Sequence, residues 1–501
     1  MTQLLILLPI AIFLLVLVGM TIAVERRPKK DHFAGDYFLG DRSLQGFVLA
    51  MTLVATYGSV SSFVSGPGIA WQLGLGWVVF AAPQIIAGFL ILGVAGKKMA
   101  IVSRAAGAIT VVDLIRARFG ESKTAVWLAD GLAVLTLLFF TTMMVGQFIG
   151  GATIFAKTAA LDYTTGLLLF GLVTVLYTAF GGFRAVALTD TVCAVLMLVG
   201  MGALAWVILD AGGGLERIME TVAAVATKGE GSEGAMLTPT AGGALGMPLL
   251  LSSWILVGFG TLGLPQSAVR CMSYRRSSDL HTAMLVSTVV CGALMIGMTT
   301  LGVFARGVLT EPLSAIGPTT DSVIPYLIAN YMHPVVAGLC LIGPIAATMS
   351  TVSSLLLAAS SAIVKDLLLR RAPAMAENEK KLAFFTRLLT GGLGVLALVL
   401  AIKPLDVVAW INMFAFGGLE LAVLLPLIGG LFWRRATAGG ALVSVVGGIA
   451  VYLTVSVLKI PVGGCHAIVP GMLAAVLLFV GVSLLTSPSP AKNLALFFPR
   501  Q

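Results

Sequence analysis

The chain has 501 residues, of which 58% are hydrophobic and 11% are charged, and its mean hydropathy is +1.03. A soluble protein of this length cannot bury so much apolar surface in one core, since about a quarter of the residues in ordinary domains are charged. The net charge of +9 does not indicate nucleic-acid binding either, because the Lys and Arg residues fall in short segments between apolar runs. The composition predicts an all-α membrane protein.

The apolar runs predict about thirteen transmembrane helices, since one span needs about 20 apolar residues. In chain order the predicted spans cover residues 3–24, 44–72, 76–98, 124–156, 163–181, 185–209, 246–270, 281–307, 335–369, 383–402, 405–432, 438–457 and 466–486. The fourth and ninth are longer than a bilayer is thick, which predicts tilt or extension beyond the membrane. We expect one transmembrane domain over residues 1–501.

The Lys and Arg residues predict how these spans are oriented. With the N-terminus outside, 25 of the 31 basic residues lie on the inner side, among them Arg26, Arg27, Lys29 and Lys30 ahead of the second span. The positive-inside rule then predicts an odd number of spans and a cytoplasmic C-terminus. The polar segment 210–245 is predicted to be an outer loop. The expected location is the cell (inner) membrane.

Two predicted spans carry Gly, Pro and small polar residues in mid-run, at 55–68 and at 258–265. Such residues free backbone groups, which a membrane tolerates only where they line a cavity or are buried in protein. For either segment alone, kinking or close helix packing is the alternative. The two lie five spans apart, as expected for the first helices of two inverted five-helix repeats. The repeats would be 44–209 and 246–432, with additional spans at 3–24 and 438–486.

The ninth span carries a hydroxyl pair, Ser350 and Thr351, with Ala347 one turn before Ser350. Carbonyls freed in the second span are hard oxygen ligands, and these hydroxyls could complete an oxygen cage for a small cation. The alternative is that the hydroxyls bond to carbonyls of their own helix.

Three further polar residues lie within predicted spans. A buried ionisable group is a functional hypothesis by default, which applies to Asp190 and Glu420. For Asp190 the alternative is an ion pair with Arg184, and Glu420 could face a partner such as a helix N-terminus. Gln147 lies in a G-x-x-x-G motif that is typical of helix packing, but its side chain could still contact a substrate.

The chain resembles members of the sodium:solute symporter family over nearly its whole length, and several motifs carry this resemblance. The most specific are 177–186 with 189–191, 263–265 followed by 269–270, and 349–351. The resemblance implies a LeuT-type 5+5 inverted repeat with two broken helices, and sodium-driven import of a small organic solute by alternating access. It places a sodium site on the carbonyls of Ala55, Gly58 and Ala347 and the hydroxyls of Ser350 and Thr351. It places Asp190, more loosely, at a possible inner sodium-release position.

Within the family, segments 37–43, 55–57 with 65–68, and 415–420 are most similar to members that carry pantothenate, which is therefore the expected solute. Tyr57 stands where proline and sugar transporters have Asp or Asn, which argues against those solutes. From their location, the expected substrate contacts are Ser59, Ser61, Ser62, Ser65, Gln147 and Thr261.

Other functions remain as alternatives. The chain carries no phosphate-binding loop of the ATPase type and no catalytic cluster, so we expect neither an enzyme nor a cofactor, with sodium as the coupling ion. The expected partners are a small solute, sodium and the lipid membrane, and not nucleic acid. One alternative is a sodium symporter for another small carboxylate or organic solute. Another is a solute-sensing membrane receptor or channel.

Overall fold

The computed structural model describes residues 2–26, 33–158, 161–225, 234–403 and 407–499, and most of these residues are helical. Ten of the described helices are long and apolar enough to cross a membrane, and two bent helix pairs each pass that test together. One of the ten, Tyr163–Ala211, has 49 residues and would measure about 74 Å if it were straight. It is divided at Gly182, so it supplies two spans, and the described residues contain the thirteen that were predicted.

The spans are numbered here in chain order. They are Thr2–Glu25 (span 1), Gly46–Tyr57 with Ser61–Leu73 (span 2), Leu75–Ala106 (span 3), Lys123–Thr158 (span 4), Tyr163–Ala211 on either side of Gly182 (spans 5 and 6), Met247–Gly263 with Pro265–Ser273 (span 7), Ser277–Val308 (span 8), Pro334–Arg371 (span 9), Glu379–Leu400 (span 10), Val408–Phe432 (span 11), Ala438–Val457 (span 12) and Ile468–Leu485 (span 13). Shorter helices are Phe33–Leu39, Val111–Phe119, Leu215–Ala224, Val323–Tyr331 and Ala491–Phe497. The described residues exclude Arg27, Lys29 and Lys30, which were used to orient the spans. They also exclude residues 226–233 of the predicted outer loop.

Gly182 breaks the long helix because its backbone adopts a φ of 62° and a ψ of −174°. An L side chain rarely takes that conformation, and a Cβ here would also stand 2.9 Å from the Tyr37 ring. The sequence places two glycines, Gly181 and Gly182, at this point. The break between spans 5 and 6 is therefore local in origin.

Both predicted interruptions are bends in the structure. The halves of span 2 meet at 65° and the halves of span 7 meet at 46°. In span 2 the helix stops at Gly58, whose φ of −70° and ψ of 110° are extended rather than helical. In span 7 it is distorted at Gly258 (φ −105°, ψ −98°) and stops at Leu264, which is extended just before Pro265. Glycine and proline end the helical hydrogen bonding at these positions.

Span 9 is the most deeply buried of the candidate spans, with 83% of its most apolar window inside the protein. It packs against span 1, span 4, span 10 and the helix of spans 5 and 6, and it also contacts the first half of span 2. Spans 12 and 13 pack mainly on each other, with further contacts to span 11. The broken span 2 is thus set against the best-protected helix in the molecule.

The chain segments that flank the two broken spans are joined at one end of the bundle. The Leu44 amide donates to the Ser273 carbonyl at 3.1 Å, and the Arg275 amide donates to the Leu44 carbonyl at 3.0 Å. The Gly46 amide donates to Asp279 Oδ1 at 3.0 Å. The start of span 2 is therefore fixed to the end of span 7 and to the start of span 8.

A substitution in span 8 tests the close packing that holds the second half of span 2. A Cβ on Gly302 would stand 2.1 Å from the Pro67 carbonyl oxygen, so Gly302→Ala must push two backbones apart. We expect a loss of about 1–3 kcal/mol in stability, as for other overpacked cores. The measurement is the thermal unfolding midpoint of the purified protein in detergent.

The matched control is Gly131→Ala in span 4, because a Cβ there meets no atom within 4 Å. Its midpoint should not fall below that of the unsubstituted protein, because Ala is a better helix former than Gly at an unhindered position. Equal midpoints for Gly302→Ala and Gly131→Ala would contradict the packing described here.

Candidate functional site

Five oxygen atoms converge where span 2 is broken against span 9. Ser350 Oγ lies 2.9 Å from the Ala55 carbonyl oxygen and 3.2 Å from that of Ala347. Thr351 Oγ1 lies 3.3 Å from the Gly58 carbonyl oxygen. Ser350 also bonds to the Ala346 carbonyl of its own helix at 2.8 Å, so its hydroxyl contacts both its own helix and span 2. The five oxygen atoms implied by the family resemblance thus lie in two hydrogen-bonded groups on neighbouring residues, and we call the whole set the oxygen cluster.

The oxygen cluster is buried and uncharged. Ser350 and Thr351 are both fully enclosed, and the described residues hold no group of three or more His, Cys, Asp or Glu side chains able to bind a metal. Oxygen ligands of an ion the size of Ca²⁺ lie 2.3–2.6 Å from it, so two at right angles stand about 3.4 Å apart. The separations in the cluster, 2.9–3.3 Å, are shorter than this and are those of hydrogen bonds between hydroxyl and carbonyl groups. The cluster thus consists of neutral oxygen atoms, the ligand type of hard cations, without a carboxylate.

Three side chains hold the broken backbone of span 2 in place. Gln147 Oε1 of span 4 accepts from the Val60 amide at 3.1 Å. Tyr57 donates its hydroxyl to the Val257 carbonyl of span 7 at 2.9 Å, and so joins the two broken spans. The Ser59 hydroxyl accepts from the Ser61 amide at 3.2 Å. Backbone groups freed within the membrane are satisfied by protein atoms, as the membrane requires.

A cavity of about 80 Å³ lies beside the break, toward the Leu73 end of span 2. Its lining residues come from five spans and include no charged side chain; they are Tyr57, Ser59, Ser61, Ser62, Gly66, Trp77, Phe80, Ala81, Gln84, Val257, Met295, Thr299, Ala409, Asn412, Met413 and Phe416. The rings of Trp77 and Phe80 are stacked with centroids 4.5 Å apart. The cavity therefore pairs a hydroxyl-bearing wall with an aromatic wall, as small-molecule sites commonly do.

The residues expected to bind substrate divide into two groups. Ser59, Ser61 and Ser62 line the cavity. The other three lie outside its lining and are fully buried. Of these, Gln147 supports the Val60 amide, and the Thr261 hydroxyl donates to the Gly258 carbonyl at 2.6 Å. Ser65 Oγ, the last, has no hydrogen-bond partner within the described part of the chain.

The sequence reasoning missed the cavity residues contributed by spans 3 and 11. Asn412 donates its amide to the Ser61 hydroxyl, and its Oδ1 atom has no partner among the described residues. Gln84 lies nine residues inside span 3. Gln84 interrupts the apolar stretch 75–96, and Asn412 interrupts the apolar start of span 11; a polar residue within an apolar run is the signal that could have identified them.

Asp190 forms an ion pair, but its partner is Arg270 and not Arg184. The Arg270 Nη2 atom lies 3.2 Å from Asp190 Oδ2, and both side chains are at most 1% exposed. The alternative proposed from sequence is therefore wrong. Residues 184 and 190 are six apart on one helix, about 240° around its axis, so they point to different sides. Arg270 reaches Asp190 from the end of span 7.

Hydroxyl groups complete a network around this ion pair. Thr52 donates to Asp190 Oδ2 at 2.6 Å, and Arg270 Nη2 donates to Ser354 Oγ at 2.7 Å. Ser354 is in turn 2.9 Å from the Thr56 hydroxyl of span 2. The network lies on the Gly46 side of the break and the cavity lies on the other side. The oxygen cluster stands between them.

Comparison with known proteins identifies the family of the chain. A model of the sodium:solute symporter family matches residues 37–448. The chain is 41% identical over 479 residues to the sodium/pantothenate symporter of Escherichia coli, covering 95% of this chain and 96% of that protein. It is 40% identical to the sodium/pantothenate symporter of Haemophilus influenzae, over 95% of both chains. The osmoregulated proline transporter of Bacillus subtilis is 27% identical, over 93% of this chain and 92% of that protein.

Solved structures share the fold. A sodium-coupled sialic acid symporter, in a substrate-bound outward-open state, superposes with a TM-score of 0.78 at 18% identity, over 97% of this chain and 99% of that chain. MhsT in complex with L-phenylalanine gives a TM-score of 0.52 at 14% identity, over 87% of this chain and 97% of that chain. These likenesses establish the LeuT-type fold that was expected. With its thirteen spans, its two broken helices and a family match over most of its length, the chain belongs to the sodium:solute symporter family and is a transporter rather than an enzyme.

Proposed function

We propose that the protein imports pantothenate with sodium by alternating access. The observation that carries this proposal is the oxygen cluster, which sets two freed carbonyls of span 2 against two hydroxyls of span 9 beside a neutral cavity. The solute is suggested by two relatives, 41% and 40% identical, that are both sodium/pantothenate symporters. Proline transport is less well supported, since the proline transporter of Bacillus subtilis is only 27% identical.

In this proposal the sodium ion binds to the carbonyls of Ala55, Gly58 and Ala347 and to the hydroxyls of Ser350 and Thr351. The hydroxyls now bond to neighbouring carbonyls at 2.9–3.3 Å. A cation between these oxygens would turn the hydroxyl protons away and bind the lone pairs of all five atoms. Span 2 would then be held to span 9 through the ion.

The solute would occupy the cavity next to the ion. Pantothenate is an anion, and the cavity lining offers no cationic side chain to neutralise it. Compensation would come from the N-terminal end of the half-helix Ser61–Leu73, whose dipole is positive, and from the nearby sodium. The hydroxyls of Ser59, Ser61 and Ser62 and the amide of Asn412 are the proposed polar contacts. The rings of Trp77 and Phe80 would face the aliphatic part of the solute.

Two of the residues expected to contact solute have supporting roles in this proposal, and a third lies away from the cavity. Gln147 holds the Val60 amide, so it fixes the shape of the break rather than the solute. Thr261 stabilises the distorted backbone of span 7 through the Gly258 carbonyl. Ser65 lies one turn beyond Ser61 in the same half-helix, and it could meet the solute only after a rearrangement.

In this proposal, alternating access uses the cavity on one side of the oxygen cluster and the Asp190–Arg270 network on the other. With the N-terminus outside and the C-terminus in the cytoplasm, the cavity faces the outside of the inner membrane and the Asp190–Arg270 pair faces the cytoplasm. External sodium would fix span 2, the solute would bind, and separation of the inner network would open the cytoplasmic path. Asp190 is then a release position for sodium. Each positive charge moved inward gains about 2.3 kcal/mol per 100 mV.

Uptake into proteoliposomes tests the function directly. Labelled pantothenate should accumulate when an inward sodium gradient is imposed, and it should not accumulate when choline replaces sodium. Unlabelled pantothenate should compete, whereas proline and a sugar should not. Competition by acetate alone would favour a symporter for another small carboxylate. Binding of solute without any accumulation would favour a receptor.

Substitution of the hydroxyl pair tests the sodium site. A contact between a hydroxyl and a charged group is worth about 1.5–3 kcal/mol. We therefore expect Ser350→Ala with Thr351→Ala to raise the sodium concentration for half-maximal uptake at least about 100-fold. The matched control is Thr348→Ala, since Thr348 is buried in the same span and bonds only to the Pro344 carbonyl of its own helix. Normal sodium dependence in the double variant would contradict the assignment.

Substitution in the cavity tests the solute site separately. Ser61→Ala removes one hydroxyl from the solute-facing wall and should raise the KM for pantothenate about tenfold, because a hydrogen bond to a carboxylate is worth about 1.5–3 kcal/mol. The sodium concentration for half-maximal uptake should stay unchanged. Ser444→Ala is the control, because Ser444 is a buried serine of span 12 outside the cavity. An unchanged KM for Ser61→Ala would remove Ser61 from the solute site.

A further inference from the structure

Glu420 is a carboxylate enclosed in the middle of span 11. Its side chain is 0% exposed, and neither of its oxygen atoms has a hydrogen-bond partner within the described residues. None of the ion pairs found in the described part of the chain includes it. Glu420 belongs neither to the oxygen cluster nor to the lining of the cavity proposed for the solute.

The carboxyl group lies against the distorted backbone of span 7. A Cβ built on Gly260 would stand 2.2 Å from Glu420 Oε2 and 2.4 Å from the Ile255 carbonyl oxygen. One turn further along span 11, a Cβ on Gly263 would stand 2.9 Å from the Leu424 amide nitrogen. The two glycines thus let span 7 approach span 11 closely. The neighbour is the tight 3-10 turn Phe259–Gly263 that follows the distorted Gly258, and not the helix N-terminus considered from the sequence.

The spans around Glu420 offer no counter-charge. The half-helix Met247–Gly263 of span 7 and span 13 contain no titratable side chain. Span 4 contributes Asp130, but that carboxylate is paired with Arg370 at 2.6 Å. The titratable groups that interact with Glu420 are the phenols of Tyr57 in span 2 and Tyr452 in span 12, which are neutral. Tyr57 donates to Val257 and Tyr452 donates to Phe414, so both hydroxyl protons are engaged elsewhere.

An ionised carboxylate in such a place is costly, because burying a charge without a partner costs several kcal/mol. A neutral carboxylic acid avoids this cost and has an O–H that can donate to a carbonyl of the distorted span 7. A bound metal cation would need several more ligands, and the described residues place no group of three His, Cys, Asp or Glu side chains around Glu420 or elsewhere. From this geometry we propose that Glu420 is a proton-binding site, and that its neutral acid form holds span 11 to the broken backbone of span 7.

Proton release would weaken this contact. A carboxylate set against Gly260 would repel neighbouring carbonyl oxygens and attract water into the junction between the two spans. The proton comes from water and returns to it, so the site needs no other reactant. By linkage, stability contributed by the bound proton is present at low pH and is lost as the pH rises through the point where the folded protein releases it.

Infrared spectroscopy of the purified protein in lipid tests the proposal without reference to sodium or solute. The spectrum should contain a C=O band of a neutral carboxylic acid that shifts in D₂O. Incorporation of ¹³C-glutamate should shift this band further, which assigns it to a glutamate in the unsubstituted protein. Glu420→Gln should remove it. Asp130→Asn is the matched control and should leave it in place, since Asp130 is ion-paired.

Transport and stability give the second readout. Glu420→Gln keeps the shape of the neutral acid, so the protein should fold at a cost of less than about 1.5 kcal/mol in stability, and sodium-driven uptake should be retained. The decline in thermal stability with rising pH should be smaller in Glu420→Gln. The proposal is overturned if no glutamic-acid band is found, or if a folded Glu420→Gln protein has lost uptake and thus requires a negative charge at this position.

Discussion

The structure depends on one constraint, which is that backbone groups freed inside a membrane must find partners within the protein. Span 2 loses its helical hydrogen bonds at Gly58, and span 9 supplies the compensation through Ser350 and Thr351. Gln147 serves the Val60 amide in the same way. The break is therefore held by side chains from two different spans, and its shape depends on the packing of both.

This arrangement divides the bundle into two sides. On one side of the oxygen cluster lies the neutral cavity, and on the other lies the network of Asp190, Arg270, Thr52 and Ser354. A buried ion pair contributes little net stability, because desolvation offsets the attraction between its members. Its hydrogen bonds instead fix the relative positions of spans 2, 6, 7 and 9. This network of hydrogen bonds can form or break as a unit, which is what a conformational change between two states requires.

The ends of the broken spans also constrain how they can move. Leu44 pairs with the backbone on either side of Tyr274, and the Gly46 amide is bound by Asp279. The first half of span 2 and the second half of span 7 are therefore linked at one end. An opening motion on that side would carry both half-helices together. Tyr57, at the end of the first half of span 2, also joins that half to the Met247–Gly263 half of span 7 through the Val257 carbonyl.

Much of this architecture could be predicted from the sequence, because membrane spans and their interruptions are local properties. The runs of apolar residues located the thirteen spans, and the Gly and Pro residues located both bends. The oxygen cluster followed from a family resemblance. Contacts between distant segments could not be predicted in this way. The partner of Asp190 comes from a helix 80 residues away, and only the fold determines that Asn412 and Gln84 face the cavity.

Glu420 is another residue whose tertiary contacts could not be predicted from the sequence. Its presence in an apolar run was visible in the sequence, but its neighbour Gly260 was not, because the close approach depends on the bend in span 7. The glycines there do not by themselves predict a carboxyl contact. Residues with an evident local role were thus identified from sequence, while those that act through tertiary contacts needed the structure.

The central claim is that one sodium ion, bound where span 2 meets span 9, is thermodynamically coupled to the solute in the adjoining cavity. Equilibrium binding of ²²Na⁺ to the purified protein, with and without saturating pantothenate, measures that coupling. Coupling between two sites is reciprocal, so the factor by which pantothenate tightens sodium binding must equal the factor by which sodium tightens pantothenate binding. We predict equal factors greater than one. Sodium binding that is the same with and without pantothenate would contradict the account.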